Sequence, residues 1–217
     1  MRKCLVISAI NFSEGGALTV LRDCLASATI SLSSDWNIVA LVHDQKLIDQ
    51  PRVQFIEYPH SKYSWVLRLY YEWFGFLKLS RSLKPDLWLS LHDITPRVLS
   101  RRQAVYCHNP SPFYKLTWRE ALMEPKFWLF NRFYRYLYRI FIHRNDWIIV
   151  QQSWLRSEFM QMFGALPVVV ARPSLSLASM PIKKEAPKGT CVFLYPSLPR
   201  VFKNFQVVCE AAMILQA

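Results

Sequence analysis

Glycine is scarce, with five residues in 217. That excludes a collagen-like repeat and a glycine-rich flexible chain. No GxGxxG pattern occurs, which disfavours a nicotinamide or flavin site built on a glycine-rich strand-to-helix turn. The five cysteines, at 4, 24, 107, 191 and 209, are odd in number and none stands in CxxC spacing. This argues against a disulfide framework and against a zinc site. Cys4, Cys107 and Cys191 each fall in an apolar strand-like run, where cysteine packs as a small hydrophobe. A reducing cytoplasm fits that usage. Asp-x-Asp is absent, as is any cluster of metal-ligand type, so no metal is expected. No stretch of roughly 18 apolar residues is present, so no single helix is expected to span a bilayer. The apolar run Cys4–Ile10 behind Met1-Arg2-Lys3 is short for a signal-peptide core. Asn11 and Glu14 follow it without a cleavage-like site, so a buried first strand is the better reading.

What is present is a core-forming chain, 52% hydrophobic and 19% charged. Its length fits one ordinary domain with a piece of another. The formal net charge of +12 points to an anionic partner: a phosphate ligand, nucleic acid or an acidic membrane face. No recognised RNA- or DNA-binding motif accompanies it, so no nucleic acid is expected.

Apolar runs with strand character recur at Leu5–Ala9, Trp36–Val42, Val53–Tyr58, Asp86–Leu91, Gln103–Cys107, Trp147–Gln151 and Val168–Ala171. Helical spacing fills the gaps at Ala17–Ala28, Tyr63–Leu83, Arg119–Arg144 (with a break near Pro125) and Ser153–Met162. Strands alternating with helices at crossover spacing predict a doubly wound, parallel α/β sheet over residues 1–173. Such sheets bind ligands beyond the carboxyl ends of their strands. The loops after Ala9, Leu91, Cys107 and Gln151 therefore matter most. Residues 174–189 read as a linker. Residues 190–217 read as a new strand, Cys191–Tyr195, and a new helix, Phe205–Leu215, which together cannot bury a core of their own.

Three constellations carry chemistry. Gly15-Gly16 follows the first strand and opens the first helix. It either lets backbone N–H groups approach an anion at a helix N-terminus or is a plain tight turn. His108, in Val105-Tyr-Cys-His-Asn-Pro-Ser-Pro-Phe113, emerges where a parallel strand ends; it is a candidate catalytic group or a structural histidine. Arg200, Lys203 and Asn204 lie between the late strand and helix, where basic groups hold a diphosphate or are simply solvated.

With Lys84-Pro85-Asp86, Trp147-Ile-Ile-Val-Gln-Gln-Ser-Trp154 and Cys209-Glu210-Ala211-Ala212, these motifs stand in the order found in one family. The chain resembles glycosyltransferase family 4, retaining enzymes of the two-domain GT-B fold. The resemblance implies a Rossmann-like acceptor-side domain and the start of a nucleotide-sugar domain. It implies a nucleotide-sugar donor and a lipid-linked or polysaccharide acceptor, used without a metal, in a setting such as bacterial cell-surface polysaccharide assembly. Gly15 and Gly16 match the family's glycine loop, His108 its histidine near the transferring sugar, and Lys203 its diphosphate-binding lysine. Arg200 lies closer to Lys203 than the family's arginine does to its lysine. The family's paired Glu, at fixed spacing in the second domain, has no counterpart among the eight Glu here. A fragment or truncated product, inactive alone, is therefore expected. A nucleotide-sugar epimerase of similar build and an inactive membrane-associated remnant are the alternatives.

Aromatic residues make up 15% of the chain and crowd the two long helical patterns. Tyr63, Trp65, Tyr70, Tyr71, Trp73, Phe74 and Phe76 mark the first. In the second, Arg132, Arg135 and Arg139 share one face by spacing, while Phe130, Phe133, Leu137 and Phe141 recur on another. Either an interfacial membrane helix or a core helix with solvated arginines produces this pattern. With the lipid-linked acceptor, it predicts a peripheral protein on the cytoplasmic face of the cell membrane.

Overall fold

The computed structural model describes residues 2–172, 194–195 and 203–216. Seven strands form one sheet: β1 Lys3–Ala9, β2 Trp36–Val42, β3 Val53–Glu57, β4 Leu87–Ser90, β5 Arg102–Cys107, β6 Trp147–Val150 and β7 Val168–Val170. Their order is β3-β2-β1-β4-β5-β6-β7, and every pairing is parallel. This is the expected Rossmann-like α/β sheet.

Alternation along each strand divides its side chains between two apolar layers. Leu5, Ile7 and Ala9 meet Leu18, Leu21 and Leu25 of α1 (Gly15–Ser31) on one face. Cys4, Val6, Val39 and Leu41 pack on the other with Phe76 and Trp88. Further along that second face, Val105, Cys107, Ile148 and Val150 meet Tyr134 and Tyr138, with Leu155 and Phe159 beside them. At the amino edge of the sheet two carboxylates hold strand starts. Asp86 accepts from the backbone N–H of Cys4 at 2.9 Å, and Asp146 from that of Gln103 at 2.8 Å.

The helical pattern over Tyr63–Leu83 is not uniform. It runs as α2 (Trp65–Tyr70), a π turn (Tyr71–Gly75) and α3 (Phe76–Leu83). Ser64 caps the start by accepting from the N–H of Leu67. Lys84, left-handed at φ 46°, ends α3 just before Pro85. The wider π turn shifts the helical register. Glu72 comes inside, while Tyr70 and Phe74 stay exposed.

The second long pattern breaks where proline demands it. A Thr117–Glu120 capping box opens α4 (Trp118–Met123). Glu124 leaves helical geometry, and Pro125 starts α5 (Pro125–Arg139), where its missing N–H costs nothing. The helix ends at Arg139, earlier than expected. The apolar stripe is corrected in part: Phe130 and Leu137 pack against the core, whereas Phe133 does not. Asn131, Tyr134 and Tyr138 form the buried face, and Phe133 is 55% exposed. The physical reason is that the polar groups on this face find acceptors, Asn131 the Tyr114 carbonyl and Tyr138 the Asp93 carboxylate.

Helix α6 (Ser153–Phe163) and helix α7 (Phe205–Gln216) lie where expected. The linker 174–189 and most of the strand expected over Cys191–Tyr195 fall outside the described residues; Leu194 and Tyr195 are described as exposed and in no strand. Cys4 and Cys107 are buried free thiols, and Cys191 is outside the described set.

Phe76 is wholly buried against Trp88, with ring centroids 5.4 Å apart. Phe76→Ala is expected to cost about 3–5 kcal/mol, read as a lower urea midpoint with unchanged m-value.

Candidate functional site at the carboxyl edge

The chain starts at β1 in the middle of the sheet, winds outward to β3, then returns to β4 on the other side of β1. The crevice between β1 and β4 is the topological switch point, where parallel sheets of this kind receive ligands. The loops after β1, β4 and β5 surround it.

The loop after β4 contains the group that organises the others. Asp93 is almost wholly buried and takes a left-handed backbone, φ 67°. Its Oδ1 accepts from the backbone N–H of His108 at 2.8 Å, from that of Asn109 at 3.0 Å and from the Tyr138 hydroxyl at 3.1 Å. Tyr138 also approaches the Asn109 carbonyl at 3.0 Å. One carboxylate thus fixes the loop after β5 to α5. The Tyr138 hydroxyl is held well above its ordinary pKa by burial and then by the Asp93 charge, so it stays a donor.

His108 sits at the carboxyl end of β5, as expected. Its Nδ1 lies 3.5 Å from Asp93 Oδ1, and the side chain keeps 30% of its surface exposed. Phe12, in the loop after β1, meets the His108 ring edge-on at 5.8 Å, and Tyr106 stacks on it at 5.8 Å. Gln151 donates to the Tyr106 hydroxyl at 2.6 Å. The loops after β1, β4, β5 and β6 therefore converge around one imidazole.

Gly15 and Gly16 begin α1 and are exposed, with open space where a Cβ would stand; Gly15 has φ 62°. Lys203 and Asn204 precede α7, and Tyr195 donates its hydroxyl to the Lys203 carbonyl at 2.8 Å. Arg200 lies outside the described residues. Of the arginines on α5, Arg132 and Arg139 are exposed. Arg135 is half-buried, with its Nε enclosed and without a hydrogen-bond partner.

Beneath this edge lies a second cluster that spacing did not suggest. Ser8 Oγ is 3.0 Å from His92 Nε2, and His92 Nδ1 is 3.0 Å from Glu72 Oε1. All three are within 1% of complete burial. The Glu72–His92 approach is close but poorly aligned, and both Glu72 oxygens lack a well-formed hydrogen bond. Arg68 donates to the His92 carbonyl at 3.0 Å. Burial pushes Glu72 up to about 8, against the opposing pull of Arg68. Burial, then Arg68, pushes His92 well below its ordinary value. The signal for both clusters in the sequence was the pair His92-Asp93 directly after β4, a polar dipeptide where ligands bind.

The fold is thus a Rossmann-like sheet with a polar, histidine-bearing carboxyl edge. No protein-family model matches the chain, and no curated protein matches it. Among solved structures, the apo form of the lipopolysaccharide outer core galactosyltransferase WaaB is similar at a TM-score of 0.47 and 12% identity, over 82% of this chain and 47% of that one. The chain spans about half the length of that protein.

Asp93→Ala leaves two N–H groups without their acceptor, shifts the Tyr138 hydroxyl onto the Asn109 carbonyl alone, and puts alanine at a left-handed position. A loss of roughly 2–4 kcal/mol is expected. Asp93→Asn, which retains a carbonyl oxygen and tolerates φ above zero, should keep most of the stability in the same urea titration.

The buried cluster sets a pH dependence whose sign follows from linkage. Glu72 has a raised folded pKa, so its contribution is full in acid and lost as pH rises toward about 8. His92 has a lowered one, so its contribution is lost as pH falls through its unfolded value of about 6.5. Just below about pH 6.5, where His92 is neutral in the native state only and Glu72 is protonated in the native state only, the two effects oppose and cancel. Above that pH only Glu72 acts. The melting temperature should therefore fall between pH 6.5 and 9 more steeply than in Glu72→Gln, as thermal scans will read.

Proposed function

We propose that this chain is the acceptor-side part of a glycosyltransferase that moves a sugar from a nucleotide-sugar donor to a lipid-linked or polysaccharide acceptor. The observation that carries the reading is the placement of His108. It stands at a strand carboxyl end beside the switch point, held by a buried carboxylate and touched by the loop that leads to Gly15-Gly16. The resemblance to glycosyltransferase family 4 supplies the reaction class, and with it retention at the anomeric carbon.

Transfer from a nucleotide sugar requires the departing diphosphate charge to be stabilised, and fixed N–H groups with Lys or Arg can do so. In this reading Gly15 and Gly16 leave the α1 N-terminus open to donor phosphate and acceptor. Lys203, with Asn204 and Arg200, meets the diphosphate from the nucleotide-sugar side, with no metal required. Asp93 fixes the backbone N–H of His108, and Phe12 and Tyr106 flank its ring, so in this reading the exposed part of His108 faces the transferring sugar. Among the described residues no group of three metal-ligating side chains is present.

The test is nucleotide release from a set of nucleotide sugars, by residues 1–217 and by the same polypeptide extended through any sequence that continues in frame. The extended protein should turn over, and 1–217 alone should not, because the donor is held between two domains. His108→Ala in the extended protein should lower kcat by about 100-fold or more with the fold intact by circular dichroism. Turnover equal to that of the unaltered protein would remove His108 from the chemistry and the reading with it.

A further inference from the structure

The outward side of α5 is apolar and basic together. Trp128, Leu129, Arg132, Phe133, Tyr136 and Arg139 recur at helical spacing, opposite the buried Asn131, Tyr134 and Tyr138. On α4, Trp118, Leu122 and Met123 are between 69% and 75% exposed. Across a seam, Val66, Tyr70 and Phe74 form a second exposed row along α2 and the π turn. Trp65 closes the seam, its ring 6.3 Å from Phe130 and 6.1 Å from Tyr134. Large apolar side chains in such number and continuity mark a surface that something covers.

Charge selects the occupant. From Lys115 to Arg139 the chain carries six basic and two acidic residues. Of the acids, Glu120 is already engaged by Thr117 and Tyr114. A second copy meeting this face across a two-fold axis would set arginines against arginines. A bilayer surface with anionic headgroups suits both chemistries, since rings sit at headgroup level and guanidinium groups meet phosphate. Among the described residues no helix is long and apolar enough to cross a membrane, so the contact runs along helix sides.

We infer that α4, α5 and the exposed row of α2 form a platform that docks on an anionic lipid bilayer. The arginines that act are Arg132 and Arg139. Arg135, expected to join them, instead lines a groove of about 320 Å³ together with Glu158. A larger groove of about 800 Å³ runs from Asn109 and Ser111 past Phe127 and Phe130 to Met123. Resting on the transferase reading, it gives a membrane-anchored acceptor a path from the platform to the His108 loop.

The test uses the 217-residue chain with phosphatidylcholine vesicles, with and without phosphatidylglycerol, in co-sedimentation at low and raised salt. Binding is expected to the anionic vesicles only, weakening with salt. Replacing both arginines, Arg132→Gln with Arg139→Gln, should weaken it roughly twenty-five-fold, at about fivefold for each charge removed. Leu122→Ser with Phe133→Ser should weaken it at unchanged charge. Circular dichroism and gel filtration report whether these surface variants fold. Equal binding to neutral vesicles, or no effect of either pair in folded protein, overturns the inference. So does a concentration-dependent dimer that Leu122→Ser with Phe133→Ser abolishes while vesicles are ignored; that outcome assigns the face to a second copy. No turnover is measured, so failure here leaves the transferase reading standing, and the converse.

Discussion

One buried carboxylate ties the end of β4 to the loop after β5 and to α5. Asp93 collects two successive backbone N–H groups and a tyrosine hydroxyl on a single oxygen. Each of those donors is wholly or partly withdrawn from water and needs an acceptor. A neutral side chain at the same place offers weaker bonds than a charged one. The left-handed backbone at Asp93 is the geometry that brings the carboxylate over the loop, and it is held there because the bonds exceed its local cost. The orientation of His108, the seating of α5 and hence the outward face of α5 all follow from this contact.

The second buried cluster couples a different helix to the same edge. Ser8, His92 and Glu72 have the spacing of a nucleophile, base and orienting acid. Ser8 has no exposed surface, so no substrate reaches it, and the arrangement holds structure rather than performs acyl transfer. Its consequence is mechanical. The π turn carries Glu72 inward to His92, and the same turn leaves Tyr70 and Phe74 outside, stacked at 5.9 Å. Arg68, which bonds the His92 carbonyl, lies over the Trp65 ring at 4.8 Å. Polar burial under the sheet edge and the aromatic seam between α2 and α5 are therefore parts of one contact chain.

The sheet was legible because its signal is local. Seven apolar runs at crossover spacing map onto seven parallel strands, most within a residue or two at either end. The position of His108 at a strand end was equally legible, since it needs only the strand boundary. Asp93 and Glu72 were not, because their roles depend on partners fifteen or more residues away and on a left-handed residue or a π turn that composition does not announce. The buried face of α5 misled for a related reason. Hydrophobic periodicity finds Phe130 and Leu137, which do pack against the core, but it misplaces Phe133 and overlooks Asn131, Tyr134 and Tyr138, because a tyrosine or asparagine with an acceptor is a better buried residue than its hydropathy suggests.

Aspartate appears at both edges of the sheet, and position alone separates its uses. At the amino edge Asp86 and Asp146 each accept the N–H of a strand's second residue, and nearby Arg101 and Arg102 partly neutralise them. Those carboxylates are partly solvated, and ligands of parallel sheets do not bind at that edge. At the carboxyl edge Asp93 is buried, has no arginine among its hydrogen-bond or ion-pair partners among the described residues, and lies beside a partly exposed imidazole. Its Oδ1 instead holds the backbone N–H groups of His108 and Asn109. The Lys84-Pro85-Asp86 motif therefore serves the fold, whereas the less conspicuous His92-Asp93 lies at the candidate site, on the edge where parallel sheets receive ligands.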